Sequence, residues 1–323
     1  MKCPCCASEG RKHGKDKSGQ QRYRCCQCRK TYLAPKPMAG SRTPLKQVAF
    51  ALNLLLEGTS ARAIERLTGI NYETVIEWMV QAGEQCRDYL PFAVYQHEVA
   101  DVEVDEQWGF VFCKEKTAFL HNYGPEVGDA YVFTAIERTT KLVLAFHLGK
   151  RDVDNTEYFA SKLNMATAGR FQLSTDGYRP YLTAIPAAFR QGIDFAQLAK
   201  NYANPDEAER RRYSPPKIVR TEKLPICGSP DPSRICTSHV ERHNLSTRMH
   251  VRRMARLTNA HSKKWENHEA MLALYYCWYN WCRSHSTLKS TPAVAAGIAT
   301  ETWTLEKLLT ETAKVERKFA TLS

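Results

Sequence analysis

Val99-Ala-Asp-Val-Glu-Val-Asp105 alternates apolar and acidic side chains with a period of two. A strand built this way carries Asp101, Glu103 and Asp105 on one face and Val102 and Val104 on the other. Downstream, Tyr131 to Ile136 and Leu142 to Phe146 are two β-rich runs separated by Glu137-Arg-Thr-Thr-Lys141, a hairpin-like pair. A helical stretch from Asn155 to Met165 follows. Then comes a short strand, Phe171 to Ser174, running directly into Thr175-Asp176-Gly177, and a second helix near Pro180 to Arg190. Three strands, then helix, strand and helix, predict a mixed α/β sheet with helices packed against it.

That order is the one found in a ribonuclease H-like fold, in which an acid of the first strand and one at the end of the fourth meet at one edge. Asp105 and Asp176 are the candidates. Two carboxylates there can hold two Mg²⁺ ions about 4 Å apart, which activate an attacking oxygen and stabilise the leaving one in phosphodiester cleavage. A strand Asp taken singly is ordinarily solvated or capping. Glu103 shares the face of Asp105, and alternation does not choose between them.

Upstream, the twelve cysteines are unevenly spread, with six in the first 28 residues. Cys3-x-x-Cys6 and Cys25-x-x-Cys28 form two knuckles, each able to set two thiolates on one side of a turn, and together they suit a closed structural Zn²⁺ site. Cys5 and Cys26 each adjoin a presumed ligand and leave a shifted register open; a redox pair is the competing use of such spacing. The predicted zinc ribbon spans 1–33, with Gln21 to Arg24 as its returning strand. Residues 34–44 read as a Pro-rich linker. From Leu45 an apolar stripe of Val48, Ala49, Leu52 and Leu55 starts the first of three short helices, the next capped by Ser60 and the third by Asn71. Together they predict a helix-turn-helix over 45–85, with Tyr72, Glu73, Glu77 and Gln81 as polar positions facing DNA. The two acids are poorly suited to phosphate, and a plain helical linker is the bland alternative.

The 323 residues, at a soft ratio of roughly 150 per domain, suggest two domains or two plus a small module. With 43% hydrophobic and 25% charged residues the chain can bury a core, which excludes wholesale disorder. No apolar run is long enough for a membrane span, and the N-terminus lacks an apolar signal region. The reading is therefore a cytoplasmic, nucleoid-associated protein with no membrane partner. The net charge is +12, and twelve Lys or Arg against two acids fall within residues 1–50. A local excess of that kind is the electrostatic footprint of a nucleic-acid partner, with Arg22, Arg24, Arg29 and Lys30 as candidate DNA contacts; a solvated basic tail would look the same.

His239-Val-Glu-Arg-His-Asn-Leu245 resembles the third motif of DDE transposases of bacterial insertion sequences. Over nearly its full length the chain looks like the insertion-sequence-one type. The resemblance rests on the Cys-x-x-Cys pair with Gln21-Arg-Tyr-Arg-Cys25, the helix-turn-helix, Val104-Asp-Glu-Gln-Trp108, Ser174-Thr-Asp-Gly-Tyr178, Val240-Glu-Arg-His-Asn244, and Tyr279-Asn-Trp-Cys-Arg-Ser-His-Ser-Thr-Leu288 before Thr291-Pro292. It implies a ribonuclease H-like catalytic domain over 95–300, with Asp105, Asp176 and Glu241 as the triad. Two Mg²⁺ or Mn²⁺ ions would be shared among them, Asp105 bridging both. The implied activity is cleavage and strand transfer at the terminal inverted repeats of a mobile element. The implied partners are double-stranded DNA, both element ends and target, and further copies of the chain in the active complex.

The residues around Glu241 fit that reading. Arg248 lies at i+7 on the same helical face, and residues 237–290 hold nine Lys or Arg against three acids. Arg248 and Arg252 are thus candidate contacts for a phosphate. Trp108 and His243 are expected to pack or orient neighbours, and Leu274, Tyr275, Trp278 and Trp281 to be core. Residues 204–236 read as an insertion, either touching DNA or forming a solvated loop. Two other functions remain open on the sequence: a non-catalytic DNA-binding regulator, and a structure-selective nuclease of the same fold.

Overall fold

The computed structural model describes all residues except 1, 2, 4, 7, 17–20, 34–36, 191, 203–217, 256–257 and 316–323. The N-terminal module is a three-stranded antiparallel sheet, β1 (Gly10–Lys15), β2 (Gln21–Cys25) and β3 (Thr31–Leu33). Residues 17–20, between β1 and β2, lie outside the described residues.

Three helices follow: α1 (Leu45–Leu56), α2 (Ala61–Thr68) and α3 (Tyr72–Ala93). The predicted caps hold: the Ser60 side chain accepts from Ala63 N and the Asn71 side chain from Glu73 N. Gly69 closes α2 at φ 74°, a left-handed conformation that favours glycine. The third helix is longer than its sequence pattern suggested. It continues past 85 because its second half has a partner: Gly83 lies directly against the backbone of Ala270.

The main sheet has six strands. β5 (Asp101–Val111) pairs antiparallel with β6 (Gly128–Glu137), and β6 with β7 (Val143–Gly149). On its other side β5 runs parallel to β9 (Gln172–Asp176), which runs parallel to β10 (Asp194–Tyr202); β11 (Ile218–Cys227) returns antiparallel along β10. The sheet is therefore mixed, as predicted, with a short separate pair formed by β4 (His97–Glu98) and β8 (Thr167–Ala168).

Helices cover both faces. Neighbouring residues of β6 show this, because alternate side chains of a strand point to opposite sides. Phe133 packs on Phe159 of α5 (Val153–Ala166), whereas the Thr134 hydroxyl meets the Tyr276 hydroxyl of α8 (Trp265–Trp281) at 3.0 Å. The remaining helices are α4 (Glu115–Leu120), α6 (Tyr181–Phe189), α7 (Ser238–His250), α9 (Pro292–Ala295) and α10 (Leu305–Thr312).

One hydrophobic cluster joins α1, α2 and α3 to the sheet, α8 and α10. Within α8, Leu274, Tyr275, Trp278 and Trp281 are all buried, as their spacing predicted. Asn280 is buried too, and its amide spans β7 by accepting from Val143 N (3.0 Å) and donating to Val143 O (2.9 Å). Those two bonds satisfy a buried polar group and fix α8 on the sheet. No described helix is long and apolar enough to cross a membrane.

Two strands of the main sheet were not visible in the sequence pattern. β10 was unassigned, and β11 falls inside the stretch read as an insertion, of which 204–217 lies outside the described residues.

Candidate functional site

Parallel pairing of β5 and β9 sets Val104 opposite Thr175, so Asp105, in the middle of β5, and Asp176, the last residue of β9, are the next residues along adjacent strands. Carboxylate oxygens of Asp105, Glu106 and Asp176 lie within 4.8 Å of one another. Asp105 is oriented by Asn244, whose Nδ2 donates to Oδ2 at 2.7 Å, and by the Glu106 N–H at 2.9 Å. Asp176 accepts from the Tyr178 N–H at 3.0 Å. Glu106 is held from the other side by Arg151 Nε (2.8 Å) and by the buried Tyr181 hydroxyl (3.1 Å). The Arg151 guanidinium lies 4.1 Å from the centroid of the Tyr178 ring, which adds a cation–π contact to this clamp.

Three acids this close oppose one another's ionisation. Burial first, then Asp176, Glu106 and Glu241, push Asp105 up to about 8. Burial and Asp176 raise Glu106 to about 6 despite Arg151 and Tyr181, and burial raises Asp176 as well. Such a cluster gains by taking up protons or a cation. Hard carboxylate oxygens are the donors that Mg²⁺ and Mn²⁺ prefer, so the set fits a divalent ion.

Glu241 enters on α7. Its Oε1 accepts from Thr237 Oγ1 at 2.6 Å and pairs with the Lys200 ammonium. It stands outside the close trio, but its charge still reaches Asp105 and Asp176. Glu103 sets the position of this helix. Its carboxylate is 2% exposed and accepts from His239 N (2.8 Å) and Val240 N (3.1 Å), two N–H groups of the first turn, while meeting His239 Nδ1 at 2.7 Å. The strand of Asp105 thereby caps the helix of Glu241, since a negative group at a helix N-terminus satisfies otherwise unpaired donors. A second tie joins Gln107 Nε2 to Asn244 O at 2.9 Å.

The four predicted thiols converge. Sulfur atoms of Cys3, Cys6, Cys25 and Cys28 lie within 4.8 Å of one another, with Cys3–Cys28 at 3.5 Å and Cys6–Cys25 at 3.3 Å. Cys3 and Cys25 are buried, whereas Cys5 and Cys26 are exposed and outside the cluster. Main-chain N–H groups of Cys5, Gln27 and Cys28 point at the sulfurs (3.3–3.4 Å), the arrangement that stabilises thiolate at a knuckle. Four soft donors in a closed shell fit Zn²⁺.

The basic candidates divide into exposed and occupied residues. Arg24, Arg29, Lys30 and Arg252 are exposed and Arg22 is half-buried. Arg248 instead turns inward and donates to the carbonyls of Met254 (2.9 Å) and Trp108 (3.3 Å). In the helical segment, Gln81 donates to Ala39 O at 3.2 Å, and the Tyr72 ring lies under the Arg62 guanidinium at 3.4 Å. Glu106, Arg151 and Tyr181 were missed by sequence reasoning. The available signal was the second acid of Val104-Asp-Glu-Gln-Trp108, which alternation assigns to the face opposite Asp105.

No family model matches the chain. Among solved structures, the cryo-EM structure of the piggyBac transposase synaptic complex with hairpin DNA aligns at a TM-score of 0.37 and 12% identity. The alignment covers 86% of this chain and 73% of that one, a likeness too loose to fix a fold.

Proposed function

We propose that the chain is a DNA transposase of the DDE type, similar to the insertion-sequence-one group, that cuts and joins DNA at the terminal inverted repeats of an element. The observation that carries this reading is the approach of Asp105 and Asp176 on adjacent parallel strands, with Glu241 brought alongside by a helix that β5 itself caps. The sheet order supports a ribonuclease H-like core: an antiparallel trio β7-β6-β5 extended by parallel β9 and β10.

Asp105, Asp176 and Glu241 would hold Mg²⁺ or Mn²⁺, two ions by the resemblance, and Glu106 is a fourth acid at the same place. Bound there, the cations supply an activated attacking oxygen and charge stabilisation of the leaving one. The chain's own residues position the reaction. Asn244 fixes Asp105, the Tyr178 N–H fixes Asp176, and Arg151 with Tyr181 fixes Glu106. Lys200 holds Glu241 at the rim. The zinc ribbon and the helix-turn-helix would grip double-stranded DNA through Arg22, Arg24, Arg29 and Lys30, with Arg252 as a further contact near the catalytic core. The proposed setting is the nucleoid, with several copies of the chain in the active complex.

Purified zinc-loaded protein is expected to nick duplexes bearing its own element's ends only when Mg²⁺ or Mn²⁺ is added, and Asp176→Asn should abolish nicking while leaving duplex binding. Undiminished cleavage by that variant would overturn the assignment. Cutting of branched DNA lacking repeats would point to a nuclease of the same fold, and binding without any metal-dependent cleavage to a regulator.

A further inference from the structure

Helix α7 has two working faces. Glu241 faces Lys200 and the acids, whereas His239, Arg242, His243 and Ser246 follow the i, i+3, i+4, i+7 spacing of another stripe. That stripe lines a cleft of about 240 Å³, closed across from the helix by Lys141 of the β6–β7 turn, by Tyr279 of α8 and by Arg283 to Ser286 just after that helix.

The cleft is strongly basic. Lys141, Arg242 and Arg283 converge on it, and among the described residues none of the three takes part in an ion pair. The Lys141 ammonium meets only the Arg138 carbonyl. The nearby acids are already engaged: Glu103 by the first turn of α7, and Glu137 by the Thr140 hydroxyl at 2.6 Å and its N–H. The concentration of positive charge is felt inside the cleft, where burial and then Arg283, Lys141 and Arg242 hold the His285 imidazole below its ordinary value.

A second observation is independent of charge. His243 is 3% exposed and lines the cleft, yet neither of its ring nitrogens has a hydrogen-bond partner among the described residues. Its ring packs against Tyr276 and Tyr279, with centroids at 5.7 and 4.5 Å, so it is held firmly in place. A buried polar ring left unpaired is costly, and a small shift of this wall that brings a ligand oxygen to one of the ring nitrogens, both now shielded from solvent, would relieve that cost.

We propose that this cleft binds a phosphate group, supplied in the working protein by the DNA backbone on the side of α7 away from Glu241. Guanidinium forks from two directions, an ammonium and hydroxyls suit a compact tetrahedral anion. The choice of DNA as the source rests on the transposase reading; the phosphate chemistry does not.

Two measurements on the full-length zinc-loaded protein test this, both without added Mg²⁺ or Mn²⁺ so that cleavage plays no part. In the first, inorganic phosphate is titrated while the imidazole resonances of His285 and His239 are followed by NMR. In the second, anisotropy reports the affinity for a duplex over a series of salt concentrations. Arg242→Gln, at an exposed helix position, and the double variant with Arg283→Gln are compared with native protein and with Lys263→Gln/Lys264→Gln as a control for general charge loss. The expected result is phosphate-dependent shifts that the double variant loses. Its duplex affinity should fall about ten- to a hundredfold, with a salt slope shallower by about one, and the control should change far less. Loss of the phosphate shifts with duplex affinity unchanged would assign the site to a free phosphate and overturn the DNA source. Absence of phosphate shifts in native protein would overturn the site itself. If native protein bound no duplex at all, the transposase reading would fall, and the phosphate titration would still decide the cleft.

Discussion

At the residue scale, Asp105 is opposed by its own burial and by three neighbouring carboxylates, so its titration should be readable in the stability of the whole chain. The carboxyl is raised from 3.8 to about 8. Its contribution is therefore fully present below about pH 4 and lost as the pH climbs through about 8. Without added Mg²⁺ or Mn²⁺ the melting temperature is expected to fall between about pH 4 and about pH 8, and Asp105→Asn should flatten that fall and melt above the native chain at the upper end. Mg²⁺ should raise the native melting temperature more at the alkaline end, where the site is ionised. An identical pH slope in Asp105→Asn, followed by calorimetry, would remove this account of the cluster. Period-two alternation correctly grouped Glu103 with Asp105 but could not separate their uses. Only the packing of α7 shows that Glu103 is a cap. The same rule hid Glu106, because its partners Arg151 and Tyr181 come from segments whose approach no local pattern encodes.

At the element scale, the junction between β5 and α7 determines where Glu241 stands. Glu103→Ala should leave two buried N–H groups and His239 Nδ1 without their acceptor, costing about 1–3 kcal/mol in urea denaturation. Nicking should drop more steeply than duplex binding, because the variant frees the helix start rather than the DNA contacts. Glu103→Gln, which keeps one acceptor, should recover part of both losses. An unchanged nicking rate in a destabilised Glu103→Ala protein would separate the cap from the site. The sequence made β5, β6, β7, β9 and the helices α1, α2, α3, α5, α6, α7 and α8 legible because each carries a clear period or cap, whereas the short α4, α9 and α10 went unread. It left β10 hidden because Phe195, Ala196, Gln197 and Leu198 are all buried in succession, so no alternation survives. β11 gave little pattern because it is an edge strand rich in charged residues, Arg220, Glu222 and Lys223.

At the scale of the whole molecule, α3 joins the N-terminal helices to the sheet through its contact with α8. A Cβ built on Gly83 would lie 2.1 Å from the Ala270 carbonyl oxygen, a backbone atom that cannot step aside alone. Helix propensity favours alanine over glycine by about 1 kcal/mol, while overpacking of this kind costs about 3 kcal/mol. Overpacking wins, and Gly83→Ala is expected to destabilise the chain by about 2 kcal/mol in chemical denaturation; a gain in stability would show that the two helices stand further apart. Because α3 is one uninterrupted element of 22 residues, its axis is roughly 33 Å long, close to the rise of ten base pairs at about 3.4 Å each. Under the proposed function that helix is a ruler. Bases touched near Asn71 and the phosphate seated by Asp105 would be kept apart by a residue count rather than by a hinge, so the offset between recognised sequence and cut would be a constant of the chain.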